Sequence, residues 1–279
     1  MPHNTIASRL FVVGCPRSGT TLLQSFLAAH PAVHSFPETA VFGRLLAAGA
    51  KNQPPTNPAD RIQAARARAI GFLDSVGRRD LEGLIPEHAL SVADFSRAFV
   101  AVLDRITLDA GKSVWLEKTP RHLAVVGEIR GLVPGARFIY VLRDGRQNVA
   151  SLYEAARQYP NVWWQQGADD LEKAVKRWNK SVSHARMLRG DADVRVVRYE
   201  RVVSDTESEL RDICAFVGLP FAPEMIERRA EAALGIVTDA EPWKAGVLED
   251  IRDVEDKFVR VFSAEQKAYV TAHLQPIDF

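Results

Sequence analysis

Eight residues near the start of the chain, Gly14-Cys15-Pro16-Arg17-Ser18-Gly19-Thr20-Thr21, combine two glycines, an arginine and three hydroxyls at the spacing of a phosphate-binding loop. They follow the apolar run Leu10-Phe11-Val12-Val13 and precede the helix-like stretch Leu22 to Leu27. Such a loop holds an oxyanion mainly through its backbone. Gly14 and Gly19 permit a tight turn and close approach, the amides of residues 17 to 21 point at the anion, and a helix starting near Thr20 presents its positive end. Arg17 adds a full charge. In the form that binds nucleoside triphosphates, Gly-x4-Gly-Lys-Ser/Thr, the lysine reaches the outer phosphates; Thr20 stands in its place here. The loop is therefore read as holding an anion other than ATP. Plain punctuation between a strand and a helix is the structural alternative, and Cys15 is read as filler.

A second basic position lies far along the chain. Arg137 to Leu142 is an apolar, β-rich run closed by Arg143-Asp144, and Ser151 falls eight residues after Arg143 on a helix-like stretch. An arginine at a strand end and a serine two helical turns later can converge on one phosphate, the guanidinium forking onto two oxygens. Arg143-Asp144 is also compatible with the acidic strand end of a magnesium-dependent kinase, or with a capped, solvated helix start.

Pro16-Arg17-Ser18-Gly19-Thr20-Thr21 resembles the 5′-phosphosulfate loop of sulfotransferases, which transfer sulfuryl groups from 3′-phosphoadenosine 5′-phosphosulfate (PAPS) to an acceptor hydroxyl or amine. The resemblance implies PAPS as donor, adenosine 3′,5′-bisphosphate (PAP) as product, and no metal. It assigns Arg17, Ser18, Gly19, Thr20 and Thr21 to the 5′ end of the donor, and Arg143 with Ser151 to its 3′-phosphate. Tyr199, in Val196-Val197-Arg198-Tyr199-Glu200, would lie beside the adenine, a buried core tyrosine being the alternative. Lys118, in Trp115-Leu116-Glu117-Lys118-Thr119-Pro120, would touch the bridging or leaving oxygen and, with Arg17, stabilise the charge that develops there; an exposed surface lysine is the alternative. Lys244, in Glu241-Pro242-Trp243-Lys244-Ala245-Gly246, would reach the 3′-phosphate from a closing loop.

A base must also take the acceptor proton. Many cytosolic sulfotransferases use a histidine two residues beyond the matched lysine, but Pro120 occupies that place. The segment Ala29-His30-Pro31 to Phe36-Pro37-Glu38-Thr39 is closer to the tyrosylprotein sulfotransferases, in which an Ala-His-Pro turn leads to a glutamate-threonine pair. That similarity makes Glu38 the candidate general base. Acids also favour first helical turns, so Glu38 could simply open the helix that follows; His34 and His122 are weaker alternatives as base.

These residues must be positioned by alternating elements. Strand-like runs at 10–13, 115–118, 137–142 and 196–200 alternate with helical patterns over Ala59–Val76, Val92–Asp109, His122–Leu132, Gln147–Ala156 and Leu171–Leu188. A further amphipathic helix over 210–217 ends at Gly218. The pattern predicts an α/β protein with a mostly parallel central sheet flanked by helices and the ligand at the carboxyl ends of the strands. The resemblance sharpens this to the P-loop NTPase-like sulfotransferase fold. Because the motifs span both halves of 279 residues, residues 1–279 read as one domain, with 51–111 as a helical insertion beside the acceptor cleft. Cys214 and the tryptophan pair Trp163-Trp164 read as packing residues, the pair alternatively lining an acceptor pocket.

Thirty-six basic residues balance 35 acidic ones, for a net charge of +1, and the basic residues are dispersed. That excludes a general electrostatic case for nucleic acid. The longest amino-terminal apolar run is too short for a signal core or a membrane span, so the expectation is a cytoplasmic enzyme. Its acceptor would be a small molecule, a carbohydrate or a peptide. A small-molecule kinase and a nucleotide-binding module without catalysis remain open as alternatives.

Overall fold

A computed structural model describes residues 5–46, 57–88, 91–160, 170–236, 247 and 256–278. Strands β1 (Ser8–Gly14), β2 (Val33–Phe36), β3 (Val114–Lys118), β4 (Ala136–Leu142) and β5 (Val194–Arg198) form one sheet in the order β2-β3-β1-β4-β5, and every pair is parallel. The central strands are buried on both faces, so they read as unbroken apolar runs. Leu10 and Val12 of β1 join Ile139 and Val141 of β4 in one apolar cluster, while Phe11 and Val13 join Phe138 and Tyr140 in the other. That division follows from the two-residue period of a strand.

Helix α1 (Thr20–Ala28) covers the first face. The second is covered by α4 (Val92–Asp109), which follows α2 (Val41–Leu46) and α3 (Pro58–Ser75). After α5 (Val126–Leu132), α6 (Gly145–Gln158) and α7 (Leu171–Leu188) pack on that second face as well. Beyond β5, α8 (Tyr199–Ser204) leads into α9 (Thr206–Val217), which joins α1 on the first face. Side-chain caps fix several starts: Asn57 accepts from the Ala59 amide, Ser91 from Asp94 and Asp170 from Lys173. Gly218, in the left-handed region at φ 82°, ends α9 as expected.

The structure departs from the sequence reading at three short elements. Strand β2 was not expected; it is a four-residue strand at the end of the sheet with two polar residues, His34 and Ser35, and carries little periodic signal. The strand expected over 196–200 ends at Arg198, and Tyr199 already begins a helix. The helix expected from His122 starts as a 3-10 turn over Pro120–Val125 before α5. Helices α3 and α4, within the region read as an insertion, contribute Ile62, Phe72, Phe95 and Phe99 to the main apolar cluster. Asp104 of α4 pairs with Arg9 of β1 at 2.7 Å and accepts from Trp115 Nε1 of β3 at 2.8 Å, so α4 is stapled to the sheet. No helix among the described residues is long and apolar enough to cross a membrane.

The chain leaves β1 toward β2 on one side of the sheet and leaves β4 toward β5 on the other. The carboxyl ends of β1 and β4 therefore flank a crevice at a topological switch point.

Candidate active site

Each wall of that crevice leads into an arginine. On the β1 side, a Cβ at Gly14 would lie 2.5 Å from the Val141 carbonyl and 2.8 Å from Ser18 Oγ, so only glycine lets the loop lie this close to β4. Arg17 (φ 71°) and Gly19 (φ 95°) both sit in the left-handed region and turn the chain into α1. Gly19 is the N-cap of α1 and supplies no side-chain hydrogen bond, leaving the first-turn amides to a group in front of them. Ser18 Oγ is buried without a hydrogen-bond partner among the described residues. One expectation needs correcting: the Ser18 amide donates to the Cys15 carbonyl at 3.1 Å, so it is used within the loop.

On the β4 side Arg143 is only 7% exposed. Its Nη1 donates to the Arg17 carbonyl at 3.3 Å, and its Nε has no partner among the described residues. Arg17 Nε lies 3.4 Å from Ser151 Oγ, a long contact, and Asn148 Nδ2 of α6 donates to the Pro16 carbonyl at 3.2 Å. Residues 17, 143 and 151 are thus one cluster. Burial holds both guanidinium groups below their ordinary range, and the neighbouring Arg143 charge pushes Arg17 further down. Asp144 turns the other way: it accepts from the Gln147 amide at 3.0 Å as the cap of α6. The capped-helix reading therefore holds for Asp144 and not for Arg143.

Tyr199 is half-buried, with the Arg143 guanidinium 4.5 Å from its ring centroid. A Cβ at Gly19 would come within 2.2 Å of the ring, so the tyrosine packs directly on the loop glycine. Thr20 is buried and Thr21 half-buried at the start of α1. A donor with phosphates at both ends fits this arrangement. The glycine cradle, the helix start without a side-chain cap, and Ser18 Oγ and Arg143 Nε, both buried without partners among the described residues, are groups suited to anionic oxygen.

The third strand end carries Lys118, 1% exposed, whose ammonium is paired with the Glu38 carboxylate. Glu38 precedes α2 rather than opening it, so its placement comes from the turn and not from helix capping. Beneath this pair lies Glu117, fully buried on β3, which the sequence reading left without a role. Its Oε1 accepts from the Thr39 amide at 3.1 Å, from Thr39 Oγ1 at 3.0 Å and from Thr119 Oγ1; its Oε2 faces His122 Nδ1 at 3.0 Å. Burial alone would raise the Glu117 carboxyl, but the His122 charge and these hydrogen bonds outweigh it and hold the group below its ordinary value. Arg68 of α3 donates to the Thr39 carbonyl at 2.7 Å and to the Glu38 carbonyl at 2.9 Å, and Ala40 takes a left-handed φ of 52°. The turn that presents Glu38 is fastened from below and from the side.

His122 is fully buried against Glu117, and His34 pairs with Trp115 in the sheet, two residues before Phe36 meets Glu117. Neither is brought to the Lys118 ammonium as Glu38 is. Lys244, Trp163 and Trp164 lie outside the described residues. A charged residue inside the buried run Trp115 to Lys118 was the available signal for Glu117; Arg68 and Asn148 offered none. Among the described residues no group of three or more His, Cys, Asp or Glu is placed to hold a metal ion.

The sequence model of the sulfotransferase family matches residues 9–223, which take in every site position above except Lys244. Protein-tyrosine sulfotransferase A of Caenorhabditis elegans is 25% identical over 228 residues, covering 80% of this chain and 53% of that protein. Nodulation protein NoeE of Sinorhizobium fredii is 27% identical over 223 residues, covering 75% and 49%. The chain thus spans about half the length of these curated relatives. Among solved structures, the sulfotransferase domain from the Synechococcus PCC 7002 olefin synthase superposes with a TM-score of 0.56 at 16% identity, over 99% of this chain and 98% of that one, a likeness of fold.

Proposed function

The chain belongs to the sulfotransferase family, and on that premise we propose that it moves a sulfuryl group from PAPS to the hydroxyl or amine of an acceptor. One observation carries the proposal. Arg17, Arg143 and Ser151, up to 134 positions apart, converge at the switch point, where Arg143 Nε and the nearby Ser18 Oγ are buried without partners among the described residues, beside a Lys118–Glu38 pair at the next strand end. Bound there, PAPS would supply a sulfuryl group already attached to a good leaving group.

The residues divide the work as follows. Arg17, Ser18, Gly19, Thr20 and Thr21 hold the 5′ end of the donor, and Arg143 with Ser151 holds the 3′-phosphate. Tyr199 flanks the base, and Lys244 adds a charge from beyond the described residues. Lys118 and Arg17 neutralise the negative charge left on the departing oxygen. Glu38 takes the proton of the acceptor, its carboxylate kept at the Lys118 ammonium by the turn that Glu117 and Arg68 anchor. The relatives' names bring peptide tyrosine among the candidate acceptors, alongside carbohydrates and small molecules.

Calorimetric titration tests the donor. PAP should bind with micromolar affinity, lose most of it when the 3′-phosphate is removed, and lose it again in Arg143→Ala. No binding, or preference for ATP with magnesium, would overturn the proposal in favour of a kinase.

A further inference from the structure

The ladder between β4 and β5 ends at Leu142 opposite Arg198, and Arg143 and Tyr199 stand one place beyond it on either strand. There the two chains part, β4 turning into α6 and β5 into α8. Backbone no longer pairs with backbone, so an amide at this point needs another acceptor. Glu200 supplies it. Its Oε1 accepts from the Asp144 amide at 2.7 Å, and a continued ladder would have set residue 200 opposite residue 144. The carboxylate thus adds one rung between strands that have already separated.

The other side of the same peptide is held as well. The Arg143 carbonyl accepts from Trp178 Nε1 of α7 at 3.3 Å. In a trans peptide the carbonyl and the amide point in opposite directions, so Trp178 and Glu200 grip the peptide between Arg143 and Asp144 from opposite sides and fix its plane. Gly145 follows directly, and a Cβ there would lie 2.8 Å from the Trp178 ring, so the turn is closely packed against α7. That plane sets the direction in which the Arg143 side chain leaves the backbone.

Two further contacts orient the guanidinium. It lies 4.5 Å from the Tyr199 ring centroid, and its Nη1 donates to the Arg17 carbonyl at 3.3 Å. The buried Nε, without a partner among the described residues, is the edge left for a ligand. Because Glu200 follows Tyr199 in sequence, its bond to Asp144 also sets how the ring stands against the arginine. Glu200 Oε2 lies 3.4 Å from Arg198 Nε, a partly exposed pair that adds little by itself.

We propose that Glu200 is a positioning residue for the donor: by holding the Asp144 amide it aims Arg143 at the 3′-phosphate, and it thereby sets the preference of the crevice for a nucleotide phosphorylated at that position. The proposal rests on the sulfotransferase reading. A carboxylate is a poor neighbour for a phosphate, so its contribution passes through the backbone.

Calorimetric titration of PAP and adenosine 5′-monophosphate into the parent and its Glu200 variants is the test. Glu200→Ala removes the acceptor, and Glu200→Asp keeps the charge but withdraws the oxygen by a methylene; each should weaken PAP by about tenfold and adenosine 5′-monophosphate by less than about threefold. Glu200→Gln keeps an acceptor oxygen at the same reach and should stay within about threefold of the parent for both nucleotides. The Glu200 side chain is 44% exposed, so its replacement opens no core, and should Glu200→Ala not fold, Glu200→Asp carries the same comparison. In turnover, KM for PAPS should rise in the two weakened variants while kcat at saturating PAPS holds within about twofold. Unchanged PAP affinity in both, equal losses for the two nucleotides, or a Glu200→Gln protein as weak as Glu200→Ala would overturn the role of Glu200 and leave the donor reading intact. Failure of PAP to bind the parent would remove the donor reading and this proposal with it.

Discussion

Lys118 and Glu38 neutralise each other in the structure, and this makes substitutions at the two positions unequal. Glu38→Gln keeps an oxygen that can accept from the ammonium but cannot take a proton. It should lower kcat by roughly 10²–10⁴-fold and leave the dissociation constant for PAP, measured by calorimetry, within about threefold of the parent. A larger change in PAP affinity than in kcat would move Glu38 from the acceptor side to the donor side. The cysteines make a second residue-scale prediction. Burial pushes the Cys15 thiol up to about 12 and the Cys214 thiol up to about 11, so neither forms much thiolate at pH 8. A disulfide reagent should titrate no thiol in the native protein and two after denaturation; rapid native labelling at Cys15 would show that the loop opens. That the loop, Arg143, Ser151 and Glu38 would lie at strand ends around one crevice was legible because they stand in local motifs beside apolar strand runs. Glu117 was not, because its role depends on which side chains the fold brings to a single carboxylate 78 positions from Thr39.

At the scale of elements, Glu117 ties β3 to the turn between β2 and α2, and two measurements follow. Its carboxyl lies below the ordinary value of 4.5, so near that pH the unfolded chain binds more protons than the folded one. The resulting stability is complete above about pH 5–6 and is lost as pH falls through 4.5 toward the folded value. Denaturation curves for Glu117→Gln should be displaced downward at neutral pH, by roughly 3–5 kcal/mol for a broken buried pair, and should fall less steeply on acidification. Because the same substitution loosens the Glu38 turn, kcat should drop while KM for PAPS changes little; the reverse pattern would assign Glu117 a purely structural part. Gly19→Ala should act differently, since a Cβ there meets both an unfavourable φ of 95° and the Tyr199 ring. Weakened PAP binding is its expected signature. The long helices were readable almost to the residue, α4 and α7 with the limits expected, because strong periodicity and side-chain caps agree. Strand β2 and helix α8 were unreadable because elements of four to six residues are settled by their neighbours, not by their own pattern.

For the molecule as a whole, a ligand spanning Arg17 and Arg143 links two halves of the sheet that the chain builds in opposite directions. PAP at 100 times its dissociation constant should add about 2.7 kcal/mol of stability, on the order of 5–10 °C in Tm, and adenosine 5′-monophosphate should give much less. Equal shifts from both nucleotides would show that the two ends of the crevice act independently. The facing arginines also set a conflict within the fold. The charge of Arg143 works against that of the buried Arg17, opposed in part by Glu154 and Tyr159, so removing one cation should relieve a cost at the point where the fold is most tightly organised. Arg143→Met should therefore melt at a higher temperature than the parent without ligand, yet gain almost nothing from PAP. Selection for heat resistance alone would erode this crevice first, and the robustness of the protein would rise as its usefulness disappeared.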